Sequence, residues 1–176
     1  KNGYTVLFAG RFAPQKNLFF LLEAFALALK IRPMTLVMLG DGAQRAALEQ
    51  RARELGINAS IRWIPPGETA PWYRAADVFA LPSLYEGLPM VGIEAQAAGL
   101  CCLFSDKVSR EADIGSGNEF LPLDAEAWAQ ALAKPRTKQN NTEKLRAAHF
   151  DIETEAHRLS DFYDMALCGK LPPECN

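Results

Sequence analysis

Histidine is scarce in this sequence: only His149 and His157 occur in 176 residues, and both fall in a C-terminal stretch with helical periodicity. Histidine-based catalysis and histidine metal sites therefore have little to draw on, and both residues are expected at the surface. The four cysteines, Cys101, Cys102, Cys168 and Cys175, contain no pair separated by two residues. That spacing is what zinc knuckles and thiol–disulfide motifs require, so neither is expected. Cys101 and Cys102 lie together in an apolar run and are expected to be reduced, buried and structural.

Long hydrophobic runs are missing too. The longest apolar stretch, residues 18–29, is interrupted by Glu23 and is too short to span a bilayer. No secretory leader pattern opens the chain, which enters a strand pattern at once and is expected to be a piece of a longer protein. Lys and Arg total 19 against 21 Asp and Glu, a net charge of −2, so no bulk positive field favours nucleic acid. No Gly-x-Gly-x-x-Gly follows the first strand pattern, which argues against a dinucleotide-dependent oxidoreductase.

What remains is an ordinary globular composition, 49% hydrophobic and 23% charged, enough for a buried core. Short β-type runs alternate with helical patterns. Residues 4–9 (YTVLFA), 35–39, 60–64, 78–81 and 101–104 read as strands, with a short sixth at 119–121. Between them, Leu18, Leu21, Leu22, Phe25 and Leu29 recur at helical spacing behind a possible cap at Asn17. Helices are also expected at 44–55, 69–75, 89–98 and 125–133. Residues 134–142 read as a polar, proline-interrupted linker, and Asp151 caps a last helix with Ile152, Ala156, Leu159 and Ala166 on one face. Such alternation predicts a doubly wound, Rossmann-like α/β sheet of about six parallel strands with a helical C-terminal extension. One domain over residues 1–168 and a disordered tail at 169–176 complete the expected organisation.

In such sheets ligands bind beyond the carboxyl ends of the strands. Four loops leave those ends, at 10–16, 40–43, 65–69 and 82–89. The first, GRFAPQKN, is a near miss for a phosphate-binding P-loop: Gln15 stands where the second Gly belongs and Asn17 where a Ser/Thr would hold magnesium. Arg11 and Lys16 nevertheless flank a helix N-terminus, an arrangement suited to a diphosphate; two solvated loop charges are the equal alternative. The fourth loop holds Glu86 before a helix and Glu94 inside it. Glu94 is the only charge among Met90, Val91, Ile93, Ala95, Ala97 and Ala98, a costly place unless something bonds to it. A vicinal diol is a good partner for such a carboxylate, whereas a plain surface acid is the simpler reading. Gly87 lets the backbone approach a ligand, with the amides near Leu88 and Met90 available to it.

The string PSLYEGLPMVGIEAQAAG resembles the signature of retaining glycosyltransferases of family four, which have the GT-B fold: two glutamates separated by seven residues, here Glu86 and Glu94. GRFAPQKN, the LGDG at 39–42 and the entry Ala76-Asp77-Val78-Phe79 fit the same family, so the resemblance covers about residues 4–125. The fuller wording is similar to bacterial capsule and exopolysaccharide enzymes. The resemblance implies the C-terminal, donor-binding domain of a two-domain transferase. It would move a sugar from a nucleotide diphosphate-sugar to a glycan or lipid-linked acceptor with retention, without cofactor or metal. Glu86 would be the catalytic-site acid near the donor sugar. Arg11 and Lys16 would bind the diphosphate, Glu94 the ribose hydroxyls, and Gly87, Leu88, Pro89 and Met90 would supply contacts to sugar and phosphate. The acceptor-binding N-terminal domain would be the missing partner, and the setting cytoplasmic, at most peripheral to the membrane face. The last helix resembles the one that crosses back to that domain; packing on its own domain is the alternative. A non-catalytic nucleotide-binding regulatory module is the competing function.

Overall fold

The computed structural model describes residues 3–168. Six strands form one wholly parallel sheet: β1 (Tyr4–Ala9), β2 (Met34–Leu39), β3 (Ile61–Ile64), β4 (Val78–Leu81), β5 (Cys101–Ser105) and β6 (Glu119–Leu121), in the order β3-β2-β1-β4-β5-β6. β1 lies in the middle, so its apolar run has no solvent side. Val6, Leu7 and Phe8 are wholly buried, as are Val78, Phe79, Ala80 and Leu81 beside them. Continuous apolar strands of this kind mark a parallel sheet covered on both faces.

The helices are α1 (Leu18–Ile31), α2 (Arg45–Glu54), α3 (Ala70–Ala75), α4 (Met90–Ala97), α5 (Ala125–Ala133), α6 (Thr142–Ala147) and α7 (Ile152–Leu167). α1 packs on α5, with Phe20 and Trp128 meeting edge to face at 5.6 Å. Asn17 stands at the start of α1 but makes no side-chain cap; its backbone is left-handed (φ 54°) and closes the Pro14–Lys16 turn, its N–H on Pro14 O at 3.0 Å. Asp151 does cap α7, accepting the Thr154 amide at 3.0 Å.

One expectation needs correction, and one of the two alternatives for the last helix falls away. Residues 134–142 are a strap rather than a free linker: Lys138 Nζ donates to the Tyr73 and Arg74 carbonyls, the Gln139 amide donates to Gly99 O at 2.9 Å, and Asn141 is buried. The strap then turns into α6, a helix too short for the hydrophobic pattern to show. α7 does not pack on its own domain. None of its residues is buried, and Ile152, Leu159, Tyr163 and Leu167 are exposed. The tail at 169–176, with Cys175, lies outside the described residues.

Candidate functional site

Crossovers leave β1 and β4 in opposite directions, so the loops that follow these two neighbours part and open a crevice at the carboxyl edge of the sheet. The loop after β2 forms one side. Gly40 has φ +141°, and a Cβ there would sit 2.0 Å from Gly10 O; one at Gly42 would sit 2.5 Å from Phe12 O. Only glycines let the two loops lie this close. Hydrogen bonds seal the contact: Gly10 N–H to Leu39 O at 3.0 Å, Phe12 N–H to Asp41 O at 2.8 Å, and Gly40 N–H to Ile64 O at 2.9 Å.

The resulting cleft has a volume of about 420 Å³ and is bounded by Gly10, Arg11, Asp41, Gly67, Tyr73 and Glu94, among others. Arg11 and Glu94 therefore do face one space, and both are exposed. The expected cost of placing Glu94 on an apolar helix is not incurred, because the side chain opens onto the cleft while Ile93 and Ala95 point into the core. One carboxylate oxygen accepts from the Tyr73 hydroxyl at 3.0 Å. Tyr73 is itself buried and also lies 3.2 Å from the Val91 carbonyl. Burial, and next the Glu94 carboxylate, push the Tyr73 hydroxyl well above its ordinary pKa, so it stays a donor across the working range. The rest of Glu94 remains open for a ligand.

Lys16 and Glu86 do not line this cleft. They form an ion pair with each other, their side chains 15% and 11% exposed. The same Glu86 oxygen accepts from the buried Ser83 hydroxyl at 2.8 Å. The backbone around Glu86 is stapled to the first loop: Leu84 N–H donates to Gln15 O at 2.8 Å, and Gln15 Nε2 to Tyr85 O at 2.9 Å. On its other side Glu86 pairs with Val108 in a single parallel bridge. The predicted cation and acid are thus neutralised by one another, and Arg11 is the cation that faces the cleft.

Pro89 is buried and precedes α4, whose positive end it opens. Gly87, Leu88 and Met90 are exposed, and a Cβ at Gly87 would meet nothing within 4 Å. None of these four lines the cleft. The reading of the residues alone missed Tyr73, Ser83, Gln15 and Asp41. Asp41 carried a signal in its Gly-Asp-Gly setting; the others meet their partners only through the sheet order. Among the described residues no helix is long and apolar enough to cross a membrane.

Fold and site together define a doubly wound α/β domain with a carboxylate and a guanidinium facing one cleft at the switch point. Comparison with known proteins names the class more closely. Residues 3–135 match the family described as Glycosyl transferases group 1, and the chain belongs to it. It is 35% identical to the glycosyltransferase EpsF of Bacillus subtilis over 167 residues, which are 89% of this chain and 43% of that protein. It is 32% identical to the D-inositol 3-phosphate glycosyltransferase of Corynebacterium urealyticum, covering 89% of this chain and 42% of that one. The chain therefore spans less than half the length of the curated relatives it matches. Among solved structures, Anabaena HepE in complex with UDP and glucose has a TM-score of 0.76 at 20% identity, covering 93% of this chain and 48% of that one. The fold is the Rossmann-like parallel sheet of the GT-B type.

Proposed function

We propose that this chain is the donor-binding half of a transferase that moves a sugar from a nucleotide diphosphate-sugar to a glycan or lipid-linked acceptor with retention. Polysaccharide synthesis of the capsular or extracellular kind is the proposed setting, supported by the likeness to EpsF and by the resemblance of the PSLYEGLPMVGIEAQAAG stretch to capsule and exopolysaccharide enzymes. A cytoplasmic location, at most peripheral to the membrane, goes with it. The observation that carries the reading is Glu94: a carboxylate oriented by Tyr73 at the mouth of a switch-point cleft, with Arg11 on the same cleft.

In this reading the ribose hydroxyls donate to Glu94. The diphosphate meets Arg11 and the positive end of α4, and Lys16 reaches it by leaving its pair with Glu86. Glu86 orients the donor sugar, with Gly87, Leu88, Pro89 and Met90 supplying contacts along the turn. The bond from C1 to the diphosphate oxygen breaks, a C1–O bond to the acceptor hydroxyl forms on the same face, and the hydroxyl proton passes to the departing phosphate. Positive charge held against the anionic leaving diphosphate, together with positioning, does the work, so no metal or cofactor is assigned a role. The acceptor side belongs to the proposed N-terminal partner domain.

Calorimetric titration of the chain with UDP, GDP and ADP tests the proposal. One of the three should bind, and Arg11→Ala should weaken it by the loss of a charge-assisted bond, roughly 1.5–3 kcal/mol or about ten- to a hundredfold. Binding of none would overturn the donor-binding reading. Binding together with full transfer activity in the isolated chain would overturn the division of labour between two domains.

A further inference from the structure

We infer that Gln96 is a positioning residue that ties Glu94 and Glu86 into one frame; the inference rests on the donor-binding reading above. Gln96 follows Glu94 by two residues on α4, so its side chain leaves the helix ~200° away, opposite the cleft. It is wholly buried. Its amide is used in full: Nε2 donates to Gly92 O at 2.9 Å and Ala112 O at 2.8 Å. Its Oε1 accepts from the Ile114 amide at 3.0 Å, the Gly115 amide at 2.5 Å and Asn118 Nδ2 at 2.8 Å. The Gln96 carbonyl takes Asn141 Nδ2 at 2.9 Å, which brings in the strap.

All but one of the side-chain bonds run to residues 112–118, and the near end of that segment holds Glu86. Ala112 N–H donates to Ser109 O at 3.1 Å, and Ser109 N–H donates to Glu86 O at 3.3 Å, next to the Glu86–Val108 bridge. The path thus runs from Glu94 through α4 and Gln96 to Ala112, Ser109 and the backbone of Glu86. An apolar side chain would satisfy packing on this helix, as at its buried neighbours Ile93 and Ala95. A buried amide is costly unless every partner is present. Its complete set of bonds fixes the 106–118 segment against α4, and with it the spacing between the ribose-side and sugar-side acids.

The test compares wild type with Gln96→Met in amide hydrogen exchange and in binding of UDP and UDP-glucose. The Ser109, Ile114 and Gly115 amides should exchange at least about tenfold faster, with the Phe8 and Leu36 amides unchanged. UDP-glucose, which needs both acids, should lose at least about threefold more affinity than UDP. Equal losses for both nucleotides, uniform acceleration that includes Phe8, or an unchanged Ser109 amide would each overturn the inference. Should Gln96→Met fail to fold, Ser109→Pro cuts the last link at a φ of −56° that proline adopts, and Ser109→Ala, which removes only the hydroxyl's bond to the Glu111 amide, is its control. The proline variant should weaken UDP-glucose and spare UDP; no difference would refute the path. Wild-type chain that binds neither of these, nor GDP or ADP, refutes the donor-binding reading instead, and the exchange comparison still decides whether Gln96 links the two acids.

Discussion

Replacing Lys16 by methionine isolates the Glu86 carboxylate. With Lys16 in place Glu86 is only 11% exposed, held also by the Ser83 hydroxyl, with its backbone pinned between Gln15 and Val108. It cannot turn out to water without breaking those contacts. Removing one partner of a buried pair costs about 3–5 kcal/mol, and the residual exposure here places the expected loss at about 2–4 kcal/mol. The reverse change is milder. In Glu86→Gln the Ser83 bond survives, and the flexible lysine stem can carry its ammonium outward, so about 1–2 kcal/mol is expected. The double variant Lys16→Met/Glu86→Gln leaves no buried charge and should be no less stable than Lys16→Met alone. Urea denaturation of all four proteins gives the coupling energy directly. A coupling below about 0.5 kcal/mol, or a larger loss for Glu86→Gln than for Lys16→Met, would refute the reasoning.

Two further outcomes follow from particular residues. Tyr4 donates to Lys134 O at 2.8 Å, and burial chiefly raises its pKa from 10.0 to about 12. A raised folded pKa contributes stability that is complete below pH 10 and lost as pH climbs towards 12. The loss attributable to Tyr4 is roughly 2–3 kcal/mol. Tyr4→Phe should flatten that alkaline limb without abolishing it, because Tyr73 is shifted in the same direction; an unchanged pH–stability curve would contradict this. Gly99 has φ +80°, and a Cβ would lie 2.5 Å from Gln139 O. Gly99→Ala should therefore cost about 1–3 kcal/mol by loosening the strap from α4, read as a lower urea midpoint.

The sheet was legible because its strands are continuous apolar runs: residues 4–9 and 78–81 needed no partner to be recognised. Gly56 and Gly99 follow α2 and α4 with left-handed backbones, φ 70° and 80°, which suit glycine. The strap was not legible, since Lys138 and Gln139 look solvated until the carbonyls of Tyr73 and Arg74 and of Gly99 are brought to them. The site divided in the same way. Arg11 and Glu94 were readable as residues, but their common cleft depends on glycine contacts between two loops. The pairing of Lys16 with Glu86 joins positions 70 apart in the chain, which no local pattern encodes. Gln96 passed for one more residue of an apolar helix because its partners come from three separate segments.

The central claim is that the cleft between Arg11 and Glu94 holds a nucleoside diphosphate with its ribose on Glu94. A crystal structure of the chain soaked with UDP-glucose tests it most directly. Both ribose hydroxyls should lie within hydrogen-bond distance of the Glu94 carboxylate, with the Tyr73 bond retained and the diphosphate against Arg11 at the end of α4. A nucleotide bound in another place, or in this cleft with its ribose turned away from Glu94, would contradict it.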